Sequence, residues 1–131
     1  MDELPIRSGD DVVRVRQFVR NAAADNGLSL VDQTKLVTAA SELARNTLVH
    51  GGGGAARVEV VKSANGRVGV KLYFTDEGPG IPDIELALTD GWTTGTGLGL
   101  GLSGTRRLVD EFELTSAPGA GTSVVVVKWS R

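Results

Sequence analysis

Apolar and polar positions repeat along this chain with two periods, and the switches between them outline its elements. Leu4-Pro5-Ile6-Arg7 is a short stretch whose proline suits an edge strand, because proline has no N–H to give a second neighbour. Val12, Val15, Val19 and Ala22 then recur at helical spacing, with Phe18 beside the stripe. Ser8, Asp10 and Asp11 are candidate caps, and Asn26-Gly27 supplies the stop. A second helix has Ser29 to cap it, Asp32 three residues on as a relative of the capping box, and Leu36, Ala40, Leu43 and Thr47 on one face. Gly51-Gly52-Gly53-Gly54 breaks that helix.

The period then falls to two. Arg57 to Lys62 alternates like a strand, Asn65-Gly66 is a hairpin signal, and Val68, Val70, Leu72 and Phe74 mark a half-buried return strand. That strand delivers Asp76-Glu77-Gly78-Pro79-Gly80, good turn chemistry that also lets backbone come close to another group. Asp83 to Leu88 reads as a short helix and Ser103 to Asp110 as another. Phe112 to Ser116 is a strand, Pro118 to Gly121 a turn, and Thr122 to Trp129 a β-branched closing strand. Strands succeed one another as hairpins, with helices between the groups. The expected class is therefore α+β: a two-layer α/β sandwich with a mostly antiparallel, mixed sheet and helices on one face. At 131 residues, a single domain over 1–131 is expected.

Composition narrows the chemistry. There is no cysteine, so disulfides and cysteine-held zinc are excluded, and the single histidine, His50, rules out a site needing two imidazoles. A net charge of −2 without a basic run argues against nucleic acid. No stretch is apolar enough for a membrane span and the first residues are acidic, so a cytoplasmic location is expected. His50 at a helix end reads as a residue well placed in the helix dipole, and Trp92 as a small hydrophobic anchor.

The 18 glycines are not spread evenly. The densest stretch is Thr93-Thr94-Gly95-Thr96-Gly97-Leu98-Gly99-Leu100-Gly101-Leu102-Ser103-Gly104, running into Thr105-Arg106-Arg107-Leu108-Val109. Glycine at every second position leaves backbone N–H groups uncovered, and a helix start after such a loop favours negative charge. A polyphosphate is the expected anion. A plain flexible linker is disfavoured by the interleaved Leu98, Leu100 and Leu102. Gly99 to Gly104 matches the dinucleotide pattern, but no strand immediately precedes it and no acidic residue follows at the required distance. No Gly-Lys-Ser/Thr follows either, so the phosphate loop of the P-loop NTPases is excluded.

Three motifs stand in a fixed order: Glu42-x-x-x-Asn46 on a helix, Asp76-x-Gly78-x-Gly80 after a strand, and Gly97-x-Gly99-x-Gly101 before a helix. A fourth, Gly119-x-Gly121-Thr122, opens the last strand. On its own, the Glu42–Asn46 pair could be two solvated polar residues on a helix flank. Together and in this order, the motifs resemble the GHKL ATPases (gyrase, heat-shock chaperone, histidine kinase and MutL), whose fold is the Bergerat α/β sandwich. The resemblance covers nearly the whole chain. The small size and the lack of a preceding phospho-acceptor histidine domain point within that family to the stand-alone bacterial anti-sigma-type serine/threonine kinases. Ser41 to Asn46, Asp76 to Ile84, Arg107 to Phe112 and Lys128-Trp129 are similar to the switch kinases of the stress-response pathway.

The resemblance implies roles. Asp76 is expected to accept a hydrogen bond from the adenine amino group, with Gly78 and Gly80 admitting base and sugar and Thr122 near the adenine edge. Asn46 is the implied Mg²⁺ ligand. Gly97, Leu98, Gly99, Leu100, Gly101 and Leu102 would form the lid over the phosphates of ATP. Glu42 is the implied general base for an incoming hydroxyl. Arg45 reads as a partner or phosphate contact or as a solvated arginine, and Arg106 and Arg107 as γ-phosphate contacts or a basic surface patch. The implied activity is phosphorylation of a serine or threonine of a STAS-domain protein in a stress-sensing complex, followed by activation of a PPM-type serine/threonine phosphatase. The alternative is a nucleotide-holding docking module that sequesters a sigma factor or activates a phosphatase without phosphotransfer. Simple hydrolysis is disfavoured.

Overall fold

The computed structural model describes residues 3–80 and 101–131. The expected helix at Asp83–Leu88, Trp92, and the Gly97, Leu98, Gly99 and Leu100 part of the glycine stretch lie outside the described residues. Eight elements follow in chain order: β1 (Glu3–Ile6), α1 (Gly9–Asp25), α2 (Leu30–Val49), β2 (Gly54–Lys62), β3 (Val68–Asp76), α3 (Gly101–Arg107), β4 (Glu111–Ser116) and β5 (Thr122–Trp129).

Both long helices start where a serine can replace a missing intrahelical acceptor. The Ser8 hydroxyl accepts from the Asp11 N–H and the Ser29 hydroxyl from the Asp32 N–H. The Asp32 carboxylate does not reciprocate as in a capping box, because it turns into the protein towards Lys128 and Arg131. The buried stripe of α1 is Val12, Val15, Val19 and Ala23, so Ala23 takes the place expected of Ala22, which is half-buried. Phe18 remains 39% exposed. On α2 the expected face, Leu36, Ala40, Leu43 and Thr47, is buried throughout.

The strands form one sheet in the order β1-β2-β3-β5-β4, and every pairing among them is antiparallel. The expected mixed pairing is therefore not found among the described strands. β3 and β4 do run in the same direction, but β5 returns from the β4 hairpin and inserts between them, so no parallel ladder forms. β1 is an edge strand, as Pro5 suggested. Val70, Leu72 and Phe74 of β3, with Val124 and Val126 of β5 and Ala56 of β2, share one core with α1 and α2. Burying one such aliphatic or aromatic side chain stabilises a fold by about 1.5–3 kcal/mol. Lys71, Tyr73 and Thr75 point from the opposite face, where Tyr73 donates its hydroxyl hydrogen to Glu59 and lies beneath the Arg57 and Lys71 cations.

Two boundaries differ from expectation by more than one residue. β2 begins at Gly54 rather than Arg57. A Cβ at Gly54 would lie 2.0 Å from the Thr75 carbonyl oxygen and 2.8 Å from the Thr47 methyl group, so the strand starts where only glycine fits under the helix. The last helix is Gly101–Arg107 rather than Ser103–Asp110. Asp110 already belongs to the sheet: its N–H donates to the Val127 carbonyl and its carboxylate accepts from the Trp129 N–H.

Candidate functional site

One end of the sheet gathers Asp76, Thr122 and the end of α2, which are far apart in the chain. Asp76 is the last residue of β3, and in register it lies between Gly54 of β2 and Thr122 of β5. Its carboxylate oxygen Oδ1 accepts from the Gly78 N–H at 2.9 Å, a short local bond that turns the chain immediately after the strand. The second oxygen, Oδ2, lies against Gly51 and accepts no hydrogen bond among the described residues, so its acceptor capacity is not used there.

Glycine lets three segments close around this carboxylate. A Cβ on Gly51 would meet Asp76 Cγ at 2.3 Å, one on Gly78 would meet Gly51 Cα at 2.7 Å, and one on Gly121 would meet the Asp76 carbonyl oxygen at 2.2 Å. Gly80, with φ of +79°, sits against the Ala117 carbonyl oxygen, and Gly119 N–H donates to the Pro79 carbonyl at 2.7 Å. The loop after β3 and the turn before β5 are thus one packed unit. Thr122 closes it, its hydroxyl 2.9 Å from that of Ser116, which also reaches the Gly121 carbonyl.

The second half of the site is the end of α2. Asn46 accepts at its backbone carbonyl from both His50 N–H (2.9 Å) and Gly51 N–H (3.2 Å), so the helix end is tied directly to the wall of the Asp76 pocket. The Asn46 side chain is half-buried, and no hydrogen bond engages it or the Glu42 carboxylate among the described residues. At about 100° per residue, Arg45 lies about 60° to one side of Glu42, Asn46 about 40° to the other and Leu43 about 100° round in the core. Glu42 therefore stands at the border between two surfaces. On the Asn46 side is the Asp76 end of the sheet. On the Arg45 side is a groove of about 290 Å³ between α1 and α2, whose rim carries Arg16 and Arg20 of α1 with Glu42 and Arg45 of α2, over Val37. The three arginines are exposed and in no ion pair among the described residues.

The structure thus brings Glu42, Asn46, Asp76, Gly78, Gly80 and Thr122 to one end of the molecule. Gly101 opens α3. Leu102, expected along the phosphate lid, has its side chain in the hydrophobic core at 7% exposure. Arg106 and Arg107 lie in the last turn of α3 and are exposed. The sequence reading missed Gly51, Arg16 and Arg20. The i, i+4 spacing of two like charges on α1 and the position of Gly51 immediately after His50 were the available signals.

Whether these residues suit a nucleotide and a metal is a matter of donor type and space. Asp76 Oδ2 lies against the bare backbone of Gly51 and accepts no hydrogen bond among the described residues, which leaves an acceptor beside glycine backbone that suits a flat donor such as an aminopurine. Among the described residues no group of three or more His, Cys, Asp and Glu is placed to hold a metal. A single amide oxygen at the partially negative C-terminal end of a helix suits magnesium, which keeps water and phosphate as most of its ligands. No helix among the described residues is long and apolar enough to cross a membrane.

Residues 31–130 match the family described as histidine kinase-, DNA gyrase B- and HSP90-like ATPase. The serine/threonine-protein kinase RsbT of Bacillus subtilis (strain 168) is 46% identical over 121 residues, 92% of this chain and 90% of that protein. An anti-sigma F factor of Thermoanaerobacter sp. (strain X514) is 30% identical over 117 residues, 87% of this chain and 82% of that protein. The crystal structure of the RsbU and RsbW domains of a Mycobacterium tuberculosis protein covers 100% of this chain and 33% of its own, with a TM-score of 0.62 and 20% identity, a likeness of fold. With 100 of its residues inside the matched span, the chain belongs to the histidine kinase-, DNA gyrase B- and HSP90-like ATPase family.

Proposed function

We propose that this chain is an ATP-dependent serine/threonine protein kinase of a bacterial partner-switching pathway. Glu42 carries the reading: one carboxylate borders both the Asn46 flank and an open, arginine-rimmed groove. A general base must touch the hydroxyl it deprotonates, and the groove gives a protein segment a route to that position.

The nucleotide, when bound, supplies the transferable phosphoryl group, and Mg²⁺ neutralises its charge. Asp76 accepts from the purine amino group, and Thr122 and the bare backbone at Gly78 and Gly80 shape the base site. Asn46 offers its amide oxygen to the metal. Gly97, Leu98, Gly99, Leu100 and Gly101, with the Leu102 N–H, would form the phosphate lid. The Glu42 carboxylate takes the proton of the acceptor hydroxyl. Arg16, Arg20 and Arg45 draw in a segment of negative potential by charge complementarity.

The substrate is a STAS-domain protein, and a PPM-type serine/threonine phosphatase is the second partner. The chain acts in the cytoplasm as one domain. The similarity to an anti-sigma F factor supports a second reading, in which the chain holds nucleotide and acts by docking to a sigma factor or phosphatase.

The test is γ-labelled ATP with Mg²⁺ and this protein in soluble lysate from its own source, beside Glu42→Ala. A labelled band that requires Glu42 establishes the kinase and yields its substrate. Absence of label, with nucleotide binding verified, transfers the assignment to docking.

A further inference from the structure

Gly52 and Gly53 have φ of +73° and +108°, so their backbone alone calls for glycine. Gly51 is not among the glycines of positive φ, and its lack of a side chain needs another cause. Its surroundings supply one. A Cβ there would sit 2.3, 2.5 and 2.6 Å from Cγ, Cβ and Oδ2 of Asp76, distances that real Cβ atoms do not show. The carboxylate cannot retreat without cost. Its Oδ1 holds the Gly78 N–H, a Cβ on Gly78 would itself strike Gly51 Cα at 2.7 Å, and the Asp76 carbonyl is pressed by Gly121. Gly51 is also bonded through its N–H to the Asn46 carbonyl. One bare residue therefore spaces the base-reading carboxylate from the helix end that carries Glu42 and Asn46.

We propose that Gly51 is a positioning residue that determines purine specificity: its uncovered Cα is the wall that aims the Asp76 carboxylate. The proposal rests on the reading that Asp76 accepts from the exocyclic amine of adenine. It makes a demand that a merely structural glycine does not. Substitution must weaken only those nucleotides that carry the amine.

The test compares ATP with purine riboside triphosphate, which lacks the 6-amino group, by calorimetric titration of the whole chain in Mg²⁺. The proteins are wild type, Gly51→Ala, and Gly9→Ala as a control, since nothing lies within 4 Å of a Cβ at Gly9. Loss of a hydrogen bond to a charged group corresponds to roughly tenfold to a hundredfold in affinity, so wild type and G9A should prefer ATP by about that factor. G51A should lose the preference, its ATP affinity falling to the level of the amine-free nucleotide while the latter stays within about twofold of wild type. Gly78→Ala would place a Cβ 2.7 Å from Gly51 Cα, displacing the same wall, and should lose the preference likewise.

Retained preference in G51A overturns the proposal, and so does an equal loss for both nucleotides. If G51A does not fold, G78A decides in its place, and failure of both to fold assigns these glycines to folding and overturns the proposal. Absence of any preference in wild type refutes the Asp76–amine reading itself, and the proposal with it, before any variant is compared.

Discussion

Replacing Lys128 with methionine should reveal how the two layers are locked at the end of the molecule opposite the site. Lys128 lies on the helix-facing side of β5, its side chain 5% exposed, with Nζ 3.6 Å from carboxylate oxygens of both Asp32 and Asp110. Asp32 is itself buried at the start of α2. Removing one partner of a buried pair strands the other charge, at a typical cost of about 3–5 kcal/mol. Two features reduce that figure here. Methionine keeps most of the lysine's apolar volume, and Arg131 stays 3.5 Å from Asp32 and 2.9 Å from Asp110, although it is 58% exposed and so its attraction is screened. The expected loss is roughly 2–3 kcal/mol, or about 7–11 °C in Tm for a chain of this size. Equilibrium urea denaturation followed by tryptophan fluorescence measures it. Asp32→Leu in the K128M background should recover much of the loss, giving a coupling well above the ~0.5 kcal/mol within which independent sites add. Nucleotide affinity should not change, because Asp32 is about 21 Å along α2 from Asn46. A K128M stability within about 0.5 kcal/mol of wild type, or strictly additive single variants, would refute the argument.

Other consequences are simpler to check. Ser29→Ala removes the acceptor for the Asp32 N–H and should cost about 1 kcal/mol in the same denaturation assay. The Arg7 backbone N–H, with help from Arg14, holds the Asp11 carboxyl below its ordinary 3.8. A depressed acid stabilises the fold above the unfolded-state value and loses that contribution as pH falls through the folded-state value, so Asp11→Asn should flatten the stability–pH curve below about pH 4. Glu42→Gln should bind nucleotide normally yet lower phosphotransfer by a factor of roughly 10²–10⁴ in a single-turnover assay. Arg16→Glu with Arg20→Glu should raise KM for the protein substrate without altering ATP affinity, and the wild-type KM should rise with added salt.

Much of this molecule is determined by local pattern. The α1 and α2 stripes, the Ser8 and Ser29 caps, the Asn65-Gly66 hairpin and the β-branched last strand each follow from the spacing of neighbouring residues, because periodicity dictates which face of an element is apolar. The motif set around Glu42, Asn46, Asp76 and the glycines was likewise legible, since the order of chemistry-bearing residues is a property of the chain. Only the folded chain decided the rest. β5 lies between β3 and β4, so the described strands pair antiparallel throughout, an outcome set by which strands become neighbours in the sheet and not by any strand's own composition. Asp32 reads locally as a capping residue and becomes a buried counter-ion because Lys128, at the other end of the sequence, arrives on the helix-facing side of its strand. Gly51 reads locally as a helix breaker, yet its contact with Asp76 exists only once α2 is laid across the end of the sheet. Local sequence sets the direction of a side chain relative to its own element. What that side chain meets is set by long-range packing, and the groove beside Glu42 exists only because α1 folds back along α2.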